Sequence, residues 1–275
     1  MANLMTKAVG LCVSVVILSG CGKYSGLNPY RKSSDDPDLE ENSFFLDQIA
    51  RHSPKGWKSE PINIFLDERM DEVQVKAAKN VMSYFNDIVG RDLVIVVGST
   101  PSLGADKALF DTLDDDVFGI YFRDKWEVTG KTSVVLGTTI WQNDESDIKL
   151  IKKADIHLNS DCYNITDAML DFPTSYEKEI VDFETLLLHE MGHALGLSHI
   201  PASMDRYSAM SPTVFIGRGL QNRRFSESDK ALLRNTYNND DIPSDIAEKF
   251  TQNEQVFPRE PVSNPTPTPV REGCS

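Results

Sequence analysis

Residues 189–199 read His-Glu-Met-Gly-His-Ala-Leu-Gly-Leu-Ser-His, and no other stretch constrains the chain as tightly. His189 and His193 stand four positions apart, which on a helix puts both side chains on one face. Two imidazoles so placed reach one metal ion. Gly196 follows three residues later, and glycine tolerates the left-handed conformation that ends a helix and turns the chain. Such a turn returns His199 to the same point as a third ligand. Three neutral nitrogens on zinc leave a fourth position for water. That is the arrangement of a catalytic site, since structural sites close all four positions and usually employ cysteine. Glu190 points off the His189–His193 face and reads as the general base and acid. Zinc lowers the pKa of its water from 15.7 to roughly 7, and a neighbouring carboxylate takes the proton and later delivers it to a leaving amine. The chemistry is metal-assisted amide hydrolysis.

The remaining sequence must build a scaffold around that helix. The chain has 275 residues, 40% of them hydrophobic and 25% charged, which suits one large domain with tails. Pro61–Leu66, Leu93–Val97, Phe118–Phe122, Thr132–Trp141 and Ala154–Leu158 read as strands. The run at Leu93–Val97 has the composition of a buried strand. A helix is expected over Asp71–Ile88, with Val73, Ala77, Val81, Tyr84 and Ile88 on its apolar face. The metal-bearing helix starts near Asp182 as N-cap, with Val181 and Leu186 at the positions of a hydrophobic staple. A last helix spans about Glu227–Tyr237, capped by Ser226 with Asp229 three residues on. With 28 basic against 42 acidic residues the net charge is −14, and no basic cluster offers a face to nucleic acid.

The pattern His189-Glu190-x-x-His193-x-x-Gly196-x-x-His199 resembles the extended zinc motif of the metzincin metallopeptidases. Ser208-Ala209-Met210-Ser211-Pro212 resembles that family's Met-turn, with Met210 as a hydrophobic floor beneath the metal ligands. Pro212 and Phe225-Ser226-Glu227-Ser228-Asp229 resemble the matrixin branch. The resemblance implies an α/β fold. A twisted mixed sheet of about five strands lies above the zinc helix, a smaller C-terminal part carries the Met-turn, and a cleft runs between them. It also implies one catalytic Zn2+, a protein or peptide substrate in extended form, and an edge strand at 154–159 that pairs with the substrate. There are departures. Ile200 stands where matrixins usually have Ser or Thr. The segment from His199 to Met210 is longer than usual. No cysteine switch precedes the domain. His157 alone does not make the family's second, structural zinc site, and it reads as an ordinary surface histidine or one facing the cleft. Asp111 and Asp114–Asp116 offer oxygen ligands for Ca2+, as acidic loops in the family can, with a solvated loop as the alternative.

The N-terminus carries Lys7, then an apolar run from Ala8 to Leu18, too short for a bilayer span of roughly 20 residues. This is the pattern of an export signal. Leu18-Ser19-Gly20-Cys21 resembles the lipobox of bacterial lipoproteins, which implies cleavage before Cys21 and its acylation. The expected organisation is a signal peptide over 1–20, an acylated cysteine and tether over 21–56, the catalytic domain over 57–240 and a Pro-rich tail over 241–275. Cys162 and Cys274 are then the remaining cysteines. Outside the cytoplasm two thiols tend to pair, the alternative being two free thiols. The sum is an exported, membrane-anchored, monomeric zinc endopeptidase, at the outer membrane or cell surface if the cell is Gram-negative. Two other readings compete. One is an exopeptidase of the same chemistry, which needs a terminus-capturing residue. The other is a surface-binding lipoprotein that keeps the fold without turnover, which an intact Glu190 argues against.

Overall fold

The computed structural model describes residues 22–24, 56–168, 179–216 and 222–248. The expected signal peptide, Cys21, most of the tether and Cys274 lie outside the described residues. No helix among those described is long and apolar enough to cross a membrane.

In chain order the elements are β1 (Gly22–Tyr24), β2 (Ile62–Asp67), α1 (Glu72–Val89), β3 (Val94–Thr100), β4 (Phe118–Phe122), β5 (Gly137–Asn143), β6 (Ile151–Leu158), β7 (Tyr163–Thr166), β8 (Glu179–Asp182), α2 (Phe183–Ala194), β9 (Thr213–Phe215) and α3 (Glu227–Asn238). Five strands form the main sheet in the order β3-β2-β4-β6-β5. The first four are parallel and β5 runs antiparallel to β6. The expected mixed sheet is therefore present. Parallel neighbours need a crossover, and α1 supplies the one between β2 and β3.

Alternation along the strands sorts the two faces of the sheet. Ile62, Ile64, Leu66, Phe118, Ile120, Phe122, Ala154, Ile156 and Leu158 join the apolar residues of α1 and α2 in one core. Helix α1 opens on a capping box between Asp71 and Gln74 and closes at Gly90 in the left-handed conformation, φ 80°. Its buried stripe is Ala77, Ala78, Val81, Met82, Phe85, Ile88 and Val89. Val73, which periodicity places on that face, is 45% exposed, because the stripe begins a turn later.

Three strand expectations need correction. The run expected to be buried lies in β3, at one edge of the sheet, and Val97 is 47% exposed. An apolar run cannot by itself distinguish an edge from a centre. Thr132–Leu136 precedes its strand, which begins at Gly137. The segment expected to be the cleft-lining edge is central: β6 is paired on both sides, with β4 and β5, and the open edge belongs to β5.

Two small pairings complete the fold. β7 and β8 run parallel and deliver the chain into α2. β1, the beginning of the expected tether, pairs in parallel with β9 just beyond the Met-turn. Helix α3 starts at Ser226 with the expected capping box to Asp229.

Candidate active site

Asp182 starts the metal-bearing helix. Its carboxylate accepts the Thr185 N–H at 3.0 Å and the Thr185 hydroxyl at 2.7 Å. Arg223 holds the same carboxylate and also pairs with Asp167 at 2.6 Å, which ties the segment after the Met-turn to the start of α2. Val181 and Leu186 are both fully buried, as a staple requires.

The helix ends as the glycine spacing demands. Gly196 has φ 92°. Its N–H donates to the His193 carbonyl and the Leu197 N–H to the Gly192 carbonyl, both at 2.9 Å. This pair of bonds is the Schellman termination. The Trp57 indole N–H donates to the Ala194 carbonyl at 2.7 Å and the Tyr237 hydroxyl to the Leu195 carbonyl at 3.0 Å. Four otherwise orphaned carbonyls are thus satisfied, and the turn sends His199 back toward the helix.

The three imidazoles converge. Nε2 of His193 lies 3.0 Å from Nε2 of His189 and 3.1 Å from Nε2 of His199, and the last two are 3.3 Å apart. His189 Nδ1 donates to the Ala209 carbonyl at 2.7 Å and His193 Nδ1 to the Leu197 carbonyl at 2.8 Å. A carbonyl can only accept, so the proton sits on Nδ1 and the lone pair on Nε2. Burial holds His189 down at about 4 and His193 at about 3, and it lowers His199 as well. The neutral His189 and His193 rings therefore aim their lone pairs at one another and at Nε2 of His199, an arrangement that a cation between them relieves. Nitrogens 2.0–2.1 Å from one tetrahedral zinc stand about 3.3 Å apart, close to the spacing seen. The residues fit zinc. Among the described residues these three alone gather as such a metal-binding group.

The floor is built from the Met-turn. Met210 is fully buried, and a Cβ on Gly192 would lie 2.3 Å from its sulfur. A side chain at 192 would have to displace Met210, and glycine avoids that. Ile200, the departure from the matrixin pattern, is buried, and its N–H donates to the Met210 carbonyl at 2.8 Å. Asp229 fixes the turn from below. Its carboxylate accepts the Ser208 hydroxyl at 2.6 Å, the Ala209 N–H at 2.8 Å and the Ser226 N–H at 2.9 Å. It thereby orients the Ala209 peptide whose carbonyl fixes the His189 ring.

Glu190 is fully buried and faces β5. The Thr139 hydroxyl lies 2.7 Å from its Oε2. Sequence reasoning missed Gly137, Thr139, Gly192 and Arg223 as contributors to the site, and none of them carries a local signal. His157 is neither exposed nor in the cleft. It is buried on the opposite face of the sheet, stacked on Tyr121, with Nε2 3.3 Å from the Thr112 hydroxyl. In the acidic loop, Asp116 pairs with Lys153 at 2.9 Å and Asp115 accepts the Val117 N–H at 3.0 Å. Cys162 is disulfide-bonded, with its partner outside the described residues.

A sheet stacked on a helix that presents three convergent imidazoles, with one carboxylate beside them, makes a site that could hold a single metal ion. Residues 121–238 match the family model for matrixin. Over those residues the chain is similar to the matrixins, a family of zinc metallopeptidases, and its mixed five-stranded sheet and three-histidine group are consistent with a matrixin-like metzincin fold. No curated protein matches the chain. The match begins inside β4, but β2 and β3 before it belong to the same sheet.

Proposed function

We propose that the protein is a zinc endopeptidase, exported and held at a membrane surface by an acylated Cys21, that cuts extended protein substrates. The observation that carries this reading is the convergence of three neutral Nε2 atoms beside a buried glutamate on the same helix. His189, His193 and His199 would hold the ion. Zinc there supplies Lewis acidity toward a carbonyl and makes water acidic near neutral pH. Glu190 accepts a proton from the attacking water and passes it to the departing amine. The Ala209 and Leu197 carbonyls keep two of the imidazoles in the tautomer that offers Nε2. Among the described residues β5 has a partner strand on one side only, and that edge suits an extended peptide added as a further strand. A bridge from Cys162 to Cys274 would pin the Pro-rich tail to the loop that follows β6.

The test is cleavage of an unstructured protein by the zinc-loaded chain, with cut sites mapped by mass spectrometry. Cleavage that Glu190→Ala and a chelator both abolish supports the endopeptidase. Intact substrate with fully zinc-loaded protein would move the reading to the binding lipoprotein.

A further inference from the structure

Residues 137, 139 and 141 of β5 share one face, because side chains alternate along a strand. The register fixes which face it is. Thr139 stands opposite Ile156 of the helix-side core, while Thr138 stands opposite His157 on the far side. Gly137 and Thr139 both meet Glu190. A Cβ built on Gly137 would lie 2.7 Å from Glu190 Oε1, 3.1 Å from Cδ and 3.2 Å from Cγ. From the other side the Thr139 hydroxyl lies 2.7 Å from Oε2 and 3.0 Å from the Glu190 main-chain carbonyl. Thr139 is fully buried, so water does not compete for that hydroxyl. A hydroxyl bears one proton, and the carboxyl oxygen is the nearer of its two acceptors.

We infer that Gly137 and Thr139 form a clamp on the open edge strand that sets the position of the Glu190 carboxylate, with Thr139 as a positioning residue. This rests on the reading of Glu190 as the general base. Gly137 lets the carboxyl group lie flat against the strand, and Thr139 fixes its rotation. The same strand that offers its edge to an extended peptide therefore also sets where the base stands. A base displaced by about 1 Å costs on the order of 10²-fold in rate, so the clamp acts on turnover and not on metal uptake.

Four variants test it in the full chain. Thr139→Val keeps the shape and removes the hydroxyl, Thr139→Ser keeps the hydroxyl, Gly137→Ala pushes the carboxylate from the other side, and Glu190→Gln serves as the reference. Thr139→Val and Gly137→Ala are each expected to lower kcat about 10- to 100-fold with KM and bound zinc within about twofold. Thr139→Ser should recover to within about threefold of wild type. A second readout needs neither zinc nor turnover. In metal-free protein, urea unfolding of Thr139→Val, Glu190→Gln and the double variant should depart from additivity by about fivefold or more in the unfolding constant. Unchanged kcat in Thr139→Val, zinc loss that parallels the loss of kcat, or additive unfolding would overturn the clamp. Should Thr139→Val fail to fold, Gly137→Ala decides the kinetics and Thr139→Ala with Glu190→Gln decides the coupling. If wild type cleaves nothing, the peptidase reading fails, while the unfolding cycle still judges the clamp.

Discussion

Two buried histidine sites lie on opposite faces of one sheet, and they differ in what surrounds the rings. On the helix side, His189 and His193 each donate Nδ1–H to a carbonyl, and their two Nε2 lone pairs meet Nε2 of His199 at one point. On the far side, His157 stands alone. The Thr112 hydroxyl lies 3.0 Å from the Leu109 carbonyl and 3.3 Å from His157 Nε2, and His157 Nδ1 finds no protein partner among the described residues. Nearby, the Asp155 carboxyl accepts the Gly119 N–H at 2.9 Å, and Thr138 Oγ1 has no hydrogen-bond partner there either. Burial pushes Asp155 up to about 8 and His157 down to about 3, so both are neutral across most of the working range. A buried histidine becomes a metal ligand when its neighbours fix the tautomer and other lone pairs converge on the same point. Burial alone gives a neutral polar cluster.

The sharpest way to break this contrast is at the base. Glu190→Gln should lower kcat about 10²- to 10⁴-fold while zinc content stays at wild-type level. Zinc lost along with activity would mean that Glu190 holds the metal. Next in size is Asp229→Ala, which strands the Ser208 hydroxyl and two N–H groups in the interior. It should destabilise the fold by about 3 kcal/mol in urea unfolding and weaken zinc binding about 10- to 100-fold through Ala209 and His189. Undiminished zinc affinity would detach the Met-turn from the metal site.

A smaller effect belongs to the far face. The Asp155 carboxyl titrates at about 8 when folded, against an ordinary value of 3.8. Between those values the folded state binds the extra proton. The stabilising contribution of the neutral group is therefore complete below about pH 4 and is lost as pH rises toward 8. Asp155→Asn removes that loss, so the variant should gain steadily on wild type as pH rises from about 4 toward 8. His157 contributes the opposite slope at lower pH, but equally in both proteins. A difference independent of pH would show that Asp155 is not held neutral. The smallest effect tests the edge of the sheet. Val97→Thr should change stability by no more than about 0.5 kcal/mol, as expected of an exposed position, where a buried strand would lose more.

The sequence made the metal helix legible because its signals are local. The histidine spacing, Gly196, the Asp182 cap and the Ser226–Asp229 box each lie within a few residues, and the structure places all of them as expected. Topology was not legible. β5 and β6 each lie in a segment that reads as a strand, and which of them is the edge depends on pairings distant in sequence. Thr138 and Thr139 look alike as a dipeptide, yet register sends one toward His157 and the other to Glu190. The short strands β7, β8 and β9 carry too few residues for periodicity to show.

Metal analysis tests the central claim most directly. Purified wild type, His189→Ala and His157→Ala would be dialysed against limiting zinc, and bound metal measured per chain. The account predicts one zinc in wild type, unchanged in His157→Ala and lost in His189→Ala. Zinc retained by His189→Ala, or lost with His157→Ala, would contradict it.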